Sequence, residues 1–214
     1  MTKRLKEICS RIPSSKVLAD VGCDHGYCAR YALSSGLAER VYITDISEKC
    51  LGKAKSLLKE EIAKGRCIPL VGDGVLVLPE PCTVLIAGMG GEEIVKILSQ
   101  KMHPVLVLQP MKNTNKLRRF LVESGAKIIL DYTFEDGKFY DLIVAESGGG
   151  DYYTEREFEY GRDNLKNPSP AFRKKIREER DKIKRYLMAS PSESEREKLA
   201  ERLLEKENLL HEIE

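Results

Sequence analysis

The stretch Val17-Leu-Ala-Asp20-Val-Gly22-Cys-Asp24-His25-Gly26 decides how this chain is read. A short apolar run (residues 17–21) ends in two glycines four positions apart, and residues 26–37 then take helical spacing. A continuous apolar run closed by glycine is the pattern of a strand covered on both faces. The glycines permit a tight turn and let backbone approach a ligand. The helix that follows offers its positive N-terminal end to the same turn.

Outward from this point the unit repeats. Residues 41–46 form a second strand, and Ser47 caps a helix running to about residue 64. Residues 67–71 are a third strand and residues 83–87 a fourth, followed by Gly88-Met89-Gly90-Gly91 and a helix to about residue 100. Residues 105–108 are a fifth strand, ending in Gln109-Pro110, and residues 113–124 read as helix. Residues 127–135 and 139–147 are two strands joined by Asp136-Gly137, a hairpin signal. The alternation predicts an α/β fold: a Rossmann-like, mostly parallel sheet covered by helices, with one antiparallel strand supplied by the hairpin.

The composition changes after Gly148-Gly149-Gly150, which divides the chain into residues 1–150 and residues 151–214. Pro168-Ser169-Pro170 opens a helix over residues 171–189, residues 190–192 are a turn, and residues 193–212 form a second helix. Phe172, Ile176, Ile183 and Leu187 face Leu199, Leu203, Leu210 and Ile213 at spacings that suit an antiparallel helical hairpin, a short coiled coil. Residues 161–189 carry ten Lys/Arg against four Asp/Glu, and residues 192–214 carry four against eight. Two helices pairing by opposite charge explain this split. So does a basic face (Arg173, Lys174, Lys175, Arg177, Lys182, Lys184, Arg185) that contacts phosphates.

The remaining composition narrows the class. With 214 residues, 42% apolar and 33% charged, the chain is neither disordered, collagen-like nor a membrane bundle. No apolar run approaches the roughly 20 residues of a spanning helix. The basic N-terminal residues Lys3, Arg4, Lys6 and Arg11 are not followed by the apolar segment of a secretory signal. The six cysteines include no Cys-x-x-Cys pair and only three histidines accompany them, so neither a metal site nor a disulfide framework is expected. A cytoplasmic, monomeric protein with reduced thiols is the expectation.

In an open α/β sheet ligands lie at the carboxyl ends of the strands. Four successive strands here end in ligand-competent residues: Asp20 to Gly26, Asp45, Gly72-Asp73-Gly74 and Ala87 to Gly91. Asp45 lies about 20 positions after the glycine turn, where a carboxylate bonds ribose hydroxyls. Asp73 is placed to accept from an exocyclic amine. Each feature alone is turn or capping chemistry. Together they indicate a cofactor that bears a nucleoside. Asp24 in the loop would repel a pyrophosphate and tolerates the amine of a methionine moiety, which favours S-adenosylmethionine over a dinucleotide.

Asp20-Val-Gly-Cys-Asp-His25, Ala87-Gly-Met-Gly-Gly91 and Gln109-Pro-Met111 with Leu117-Arg118 resemble the bacterial tRNA adenine-N1-methyltransferase family that modifies a D-arm adenine, tRNA nucleotide 22. The likeness spans nearly the whole chain and departs at residues 26–31, where the family has a more apolar stretch containing proline. It implies a class I methyltransferase domain followed by a C-terminal antiparallel coiled coil, with tRNA as partner. It also implies roles: Asp20, Gly22 and Asp24 around the methionine part, Asp45 at the ribose, Asp73 and Gly74 at the adenine ring, and Ile46 among the cofactor-binding residues. Gly88, Met89 and Gly90 would stand beside the sulfonium and the incoming base. Met89, Tyr27 and Tyr31 are candidates to stack on that base. His25 either touches substrate or fixes the loop. Gln109 and Lys112 would meet substrate, with Gln109 reading an adenine edge or tying its own loop. Two other readings stay open: methylation of another RNA, a protein or a small molecule, and a cofactor-binding interaction module without catalysis.

Overall fold

A computed structural model describes residues 1–189 and 192–214. After a short helix, α1 (Lys3–Cys9), the chain alternates β1 (Ser15–Val21), α2 (Tyr27–Ser34), β2 (Ala38–Asp45), α3 (Glu48–Leu57), α4 (Lys59–Ala63) and β3 (Cys67–Val71). It continues through β4 (Thr83–Met89), α5 (Gly91–Leu98), β5 (Val105–Pro110), α6 (Thr114–Glu123) and the hairpin strands β6 (Ala126–Asp136) and β7 (Lys138–Gly149). Then come α7 (Glu155–Tyr160), α8 (Arg162–Lys166), α9 (Pro170–Met188) and α10 (Glu193–Ile213).

The described strands make one sheet in the order β3-β2-β1-β4-β5-β7-β6. The pairings among β1 to β5 are parallel, and β7 runs antiparallel to both β5 and β6. The expected single antiparallel strand is therefore β7. Leu18, Ile43, Leu85 and Val107 fill the core on one face, while Ala19, Val84, Ile86 and Leu108 fill it on the other. Burial on both faces is why these strands read as unbroken apolar runs.

Three features differ from the sequence pattern. Residues 47–64 break at Leu58, whose backbone leaves the helical region (φ −104°, ψ 15°) while its side chain packs against Gly26. The helices α1, α7 and α8 have no counterpart in the pattern, because seven, six and five residues are too short to show a helical period. Packing also continues past the glycine run: Tyr153 and Phe158 belong to the same apolar cluster as Val84 and Leu108.

Helices α9 and α10 run antiparallel, with Arg173 Nε donating to the Ile213 carbonyl at 2.6 Å and Lys184 pairing with Glu207 at 2.7 Å. Tyr160, Phe172, Ile176, Leu209, Leu210 and Ile213 form their own cluster at the base of the hairpin. Toward the tip Leu187, Leu199 and Leu203 are only half-buried. The expected turn at residues 190–192 falls on Ser190 and Pro191, which lie outside the described residues. Among the described residues no helix is long and apolar enough to cross a membrane.

Candidate active site

The chain leaves β1 toward β2 and β3 and returns on the other side at β4, so the strand order reverses between β1 and β4. Such a reversal opens a crevice at the carboxyl ends of the strands. A cavity of about 160 Å³ lies there, and its lining includes Gly22, Asp45, Ile46, Asp73, Gly74 and Met89. These are five of the expected cofactor residues, Gly22, Asp45, Ile46, Asp73 and Gly74, joined by Met89. The wall opposite them comes from α5, through Glu93, Lys96 and Ile97.

Each position follows from local structure. The N–H groups of Gly22 and Cys23 both donate to the Thr44 carbonyl, at 2.8 and 2.9 Å, which pins the first loop to the end of β2. Gly22 has φ +73°, and a Cβ there would stand 1.9 Å from Met89 Cε. The thioether therefore lies directly on bare backbone. Asp45 Oδ1 accepts from the Ser47 N–H at 2.8 Å. Asp73 Oδ2 accepts from Gln100 Nε2 at 3.1 Å, while Gln100 Oε1 is buried without a partner. Ile46 is 76% exposed, an apolar side chain presented at the cavity's edge.

Asp20, Asp24 and His25 do not line the cavity. Asp20 is buried beneath the loop and accepts from Cys23 Sγ at 3.2 Å, and burial pushes its carboxyl up to about 6. Asp24 turns to Lys53 on α3 (2.9 and 3.1 Å) and to His25 Nδ1 (2.8 Å). The Lys53 hydrogen bond, with the charges of His25 and Lys53, holds it below the usual carboxylate range. His25 stacks on Tyr27 at 5.6 Å, so its contacts here are those of a loop-fixing group. Tyr31 packs into the core.

The loops after β4 and β5 are joined to one another. Met111 N donates to Met89 O and Gly91 N to Lys112 O, both at 2.8 Å. A Cβ on Gly91 would lie 2.3 Å from the Asn113 carbonyl oxygen, so only glycine allows this approach. Lys112 Cε comes within 3.4 Å of a Cβ placed on Gly90. Gly88 faces the guanidinium of Arg4. Gln109 is fully buried: Nε2 donates to the Pro110 carbonyl (2.8 Å) and Oε1 accepts from Arg4 Nη1 (3.1 Å). Its amide ties the loop together and has no free edge for a base.

None of the basic residues of α9 lines the cavity, and the four singled out for substrate have partners. Lys174 pairs with Glu135 at 2.5 Å, Lys175 with Asp141 at 3.9 Å and Arg177 with Glu214 at 2.8 Å. Arg173 is held by the Ile213 carbonyl. Sequence reasoning did not single out Glu93, Lys96, Ile97 and Gln100, although their spacing of three and four places them on one face of the helix after the glycine run. The approach of Arg4 to Gly88 gave no sequence signal, since it depends on the tertiary fold.

The residues present fit S-adenosyl-L-methionine. The cavity lining combines a bare glycine backbone at Gly22, carboxylates at Asp45 and Asp73 and an exposed apolar side chain at Ile46, the set of groups such a cofactor would need. The orphaned Gln100 Oε1 beside Asp73 is an acceptor at the end where an exocyclic amine would lie.

Residues 1–143 match a family model described as a methyltransferase domain. A Mycoplasma pneumoniae protein with the provisional name of a tRNA methyltransferase is 35% identical over 153 residues, 68% of this chain and 70% of its own length. The tRNA (adenine(22)-N(1))-methyltransferase of Bacillus subtilis is 31% identical over 159 residues, covering 71% of this chain and 67% of its own. The Streptococcus pneumoniae protein Sp1610 superposes with a TM-score of 0.91 at 26% identity, over 99% of this chain and 100% of its own. A second structure of that protein, in complex with S-adenosyl-L-methionine, superposes with a TM-score of 0.88 at 25% identity, over the same shares of the two chains. The strand-end cleft, the helical hairpin and the extent of these matches place the chain in the tRNA (adenine(22)-N1)-methyltransferase family.

Proposed function

We propose that this chain transfers a methyl group from S-adenosyl-L-methionine to N1 of adenine 22 in the D-arm of tRNA, acting in the cytoplasm. The observation that carries the proposal is the cleft itself: Gly22, Asp45, Ile46, Asp73 and Met89 converge beside the joined loops that hold Gly90 and Lys112. When bound, the cofactor supplies an electrophilic methyl on a cationic sulfonium. Asp45 holds the ribose hydroxyls, Asp73 the adenine amine, and the Gly22 loop the methionine part.

Adenine N1 is a neutral lone pair, so the chain needs to align it more than to deprotonate it. The Gly88–Gly91 turn, fixed by hydrogen bonds to the loop after β5, is rigid enough for that alignment. Methylation leaves positive charge on the ring, which backbone carbonyls of the same turn stabilise. N1 lies on the pairing edge, so the base must leave its partner to enter. Met89 is the apolar surface against which it stacks.

Residues 151–214 grip the tRNA body through α9. Arg173, Lys174, Lys175 and Arg177 already have intramolecular partners, which leaves Lys182 and Arg185 as the cations of α9 best able to meet phosphate.

The test is mass spectrometry of nucleosides from tRNA incubated with the protein and S-adenosyl-L-methionine. N1-methyladenosine should appear and should vanish when adenine 22 is replaced. Incorporation only at other bases, or only into protein, overturns the assignment.

A further inference from the structure

Helix α1 packs against α2 and β6. Ile8 and Cys9 anchor it in the core with Phe134 and Leu142, and the Arg4 N–H donates to Asp136 Oδ2 at 2.8 Å at the tip of the β6–β7 hairpin. From this fixed backbone the Arg4 side chain reaches over the ends of β4 and β5. Nη1 donates to Gln109 Oε1 at 3.1 Å and touches Met111 Sδ at 3.4 Å. The guanidinium carbon stands 5.5 Å from the centre of the Tyr140 ring. Both Nη atoms would be 3.9 Å from a Cβ on Gly88, so the fork faces the backbone immediately before Met89 and Gly90.

The charge on Arg4 is not answered. The residue is half-buried, yet no carboxylate lies within 4.0 Å of its guanidinium among the described residues. Other partly or fully buried arginines contrast with it: Arg118 meets Asp131 and Arg162 meets Asp151 and Glu157. The Nε and Nη2 groups of Arg4 find no acceptor among the described residues. A planar fork with two free donor positions matches a phosphate or a carboxylate in bidentate geometry. Arg4 does not line the cofactor cavity. It stands on the β5 side of Met89, and the cavity lies on the β1 side. An anion arriving there comes with the substrate.

We propose that Arg4 is a substrate-binding residue that clamps a phosphate flanking the target adenosine, and so holds the extruded base at the Gly88–Gly91 turn. This rests on the tRNA reading given above. The clamp explains why a buried glutamine is spent on orienting an arginine. Gln109 accepts from one arm of the fork and leaves the other for phosphate.

The experiment titrates tRNA against the wild type, Arg4→Gln and Arg4→Lys over a series of salt concentrations. The cofactor product S-adenosylhomocysteine is titrated separately by calorimetry, and kcat and KM are measured for tRNA. Arg4→Gln should weaken tRNA binding about tenfold or more, the worth of one charge-assisted bond. It should also lower the salt slope by roughly 0.7–0.9, one phosphate contact. Affinity for S-adenosylhomocysteine should stay unchanged, while the melting temperature falls modestly because Gln109 Oε1 loses its donor. Arg4→Lys should restore the slope and part of the affinity, with the residual defect in KM. An unchanged tRNA affinity and slope in a folded Arg4→Gln overturns the clamp. So does a loss of S-adenosylhomocysteine affinity with the tRNA slope intact, which would assign the fork to the cofactor's carboxylate. If Arg4→Gln does not fold, Arg4→Lys decides alone: wild-type KM and affinity count against a bidentate fork. Failure of the wild type itself to bind and methylate tRNA would instead overturn the functional reading.

Discussion

Arg118 of α6 and Asp131 of β6 form a bidentate ion pair with 1% and 0% of their side chains exposed. Nε reaches the two carboxylate oxygens at 3.0 and 2.9 Å, and Nη2 reaches one at 3.0 Å. Nη1 donates to the carbonyls of Phe158 and Glu159, and the Tyr153 hydroxyl donates to Asp131 at 3.2 Å. The pair thus joins the sheet to the segment that leads into the hairpin.

Breaking such a pair leaves a buried charge unanswered. Arg118→Met should cost about 3–5 kcal/mol of stability, and Asp131→Leu alone a similar amount. The double variant should recover part of the loss, because the two charges go together while the Phe158 and Glu159 carbonyls, the Tyr153 hydroxyl and Asp141 still lose a partner. Urea denaturation of the three proteins checks this. Costs that simply add would show that the two residues act independently.

The sheet was legible because β1, β2, β4 and β5 are buried on both faces, and because β1, β3, β4 and β5 end at or beside glycine or proline while β2 ends just before the Ser47 cap. The cavity lining was legible from the same alternation: Gly22, Asp45 and Asp73 sit at strand ends whose positions it fixes. Residues acting across the fold were not. Arg4 is 105 positions from Gln109 and Asp24 is 29 from Lys53, and nothing local marks either pair. The pairing of the basic run on α9 was hidden for a related reason. Composition counts charges without showing that Lys174, Lys175 and Arg177 meet carboxylates from β6, β7 and the end of the chain.

Asp20 makes a pH prediction. Burial raises its folded-state pKa from 3.8 to about 6, so the folded state binds the proton more tightly than the unfolded chain. Its contribution is fully present below about pH 4 and is lost as pH rises through 6. Asp20→Asn removes that dependence. Relative to wild type, the variant should gain about 2–3 kcal/mol between pH 4 and pH 7.5. Paired denaturation curves at the two pH values report the gain. A constant difference would mean that Asp20 is not perturbed.

Gly22 and Met89 should be coupled. Gly22→Ala places a methyl 1.9 Å from Met89 Cε at φ +73°. The left-handed backbone costs about 1–2 kcal/mol by itself, and the displaced thioether adds to it. In a Met89→Ala background only the backbone cost remains. A double-mutant cycle should therefore show a coupling of at least about 0.5 kcal/mol. Additive costs would indicate that the thioether moves aside freely.

Asp45→Ala should weaken S-adenosylhomocysteine binding by about 1.5–3 kcal/mol, the value of charge-assisted bonds to ribose hydroxyls. The Ser47 N–H also loses its acceptor, so the melting temperature is recorded with the calorimetry. Unchanged affinity in a folded variant would remove Asp45 from the site.

The basic helix separates two kinds of cation. Lys174 and Arg177 pair with Glu135 and Glu214, exposed pairs that water and salt screen. Reversing both to Glu sets like charges against each other, so this variant should lose stability at the base of the hairpin. Lys182 and Arg185 have no carboxylate within 4.0 Å among the described residues, and both line a groove of about 610 Å³ between α9 and Phe139 near the β6–β7 tip. Releasing counterions from phosphate contacts costs affinity with salt at roughly 0.7–0.9 per contact. Reversing Lys182 and Arg185 should therefore lower the tRNA salt slope by about 1.4–1.8 while stability holds. Reversing Lys174 and Arg177 should change the slope by less than one contact, because their charges are already spent inside the molecule. Melting curves and tRNA titrations over a salt series distinguish the two variants. A larger slope change from the Lys174/Arg177 variant would show that those intramolecular pairs open when tRNA binds, and that the grip lies at the base of the hairpin rather than along its outer half.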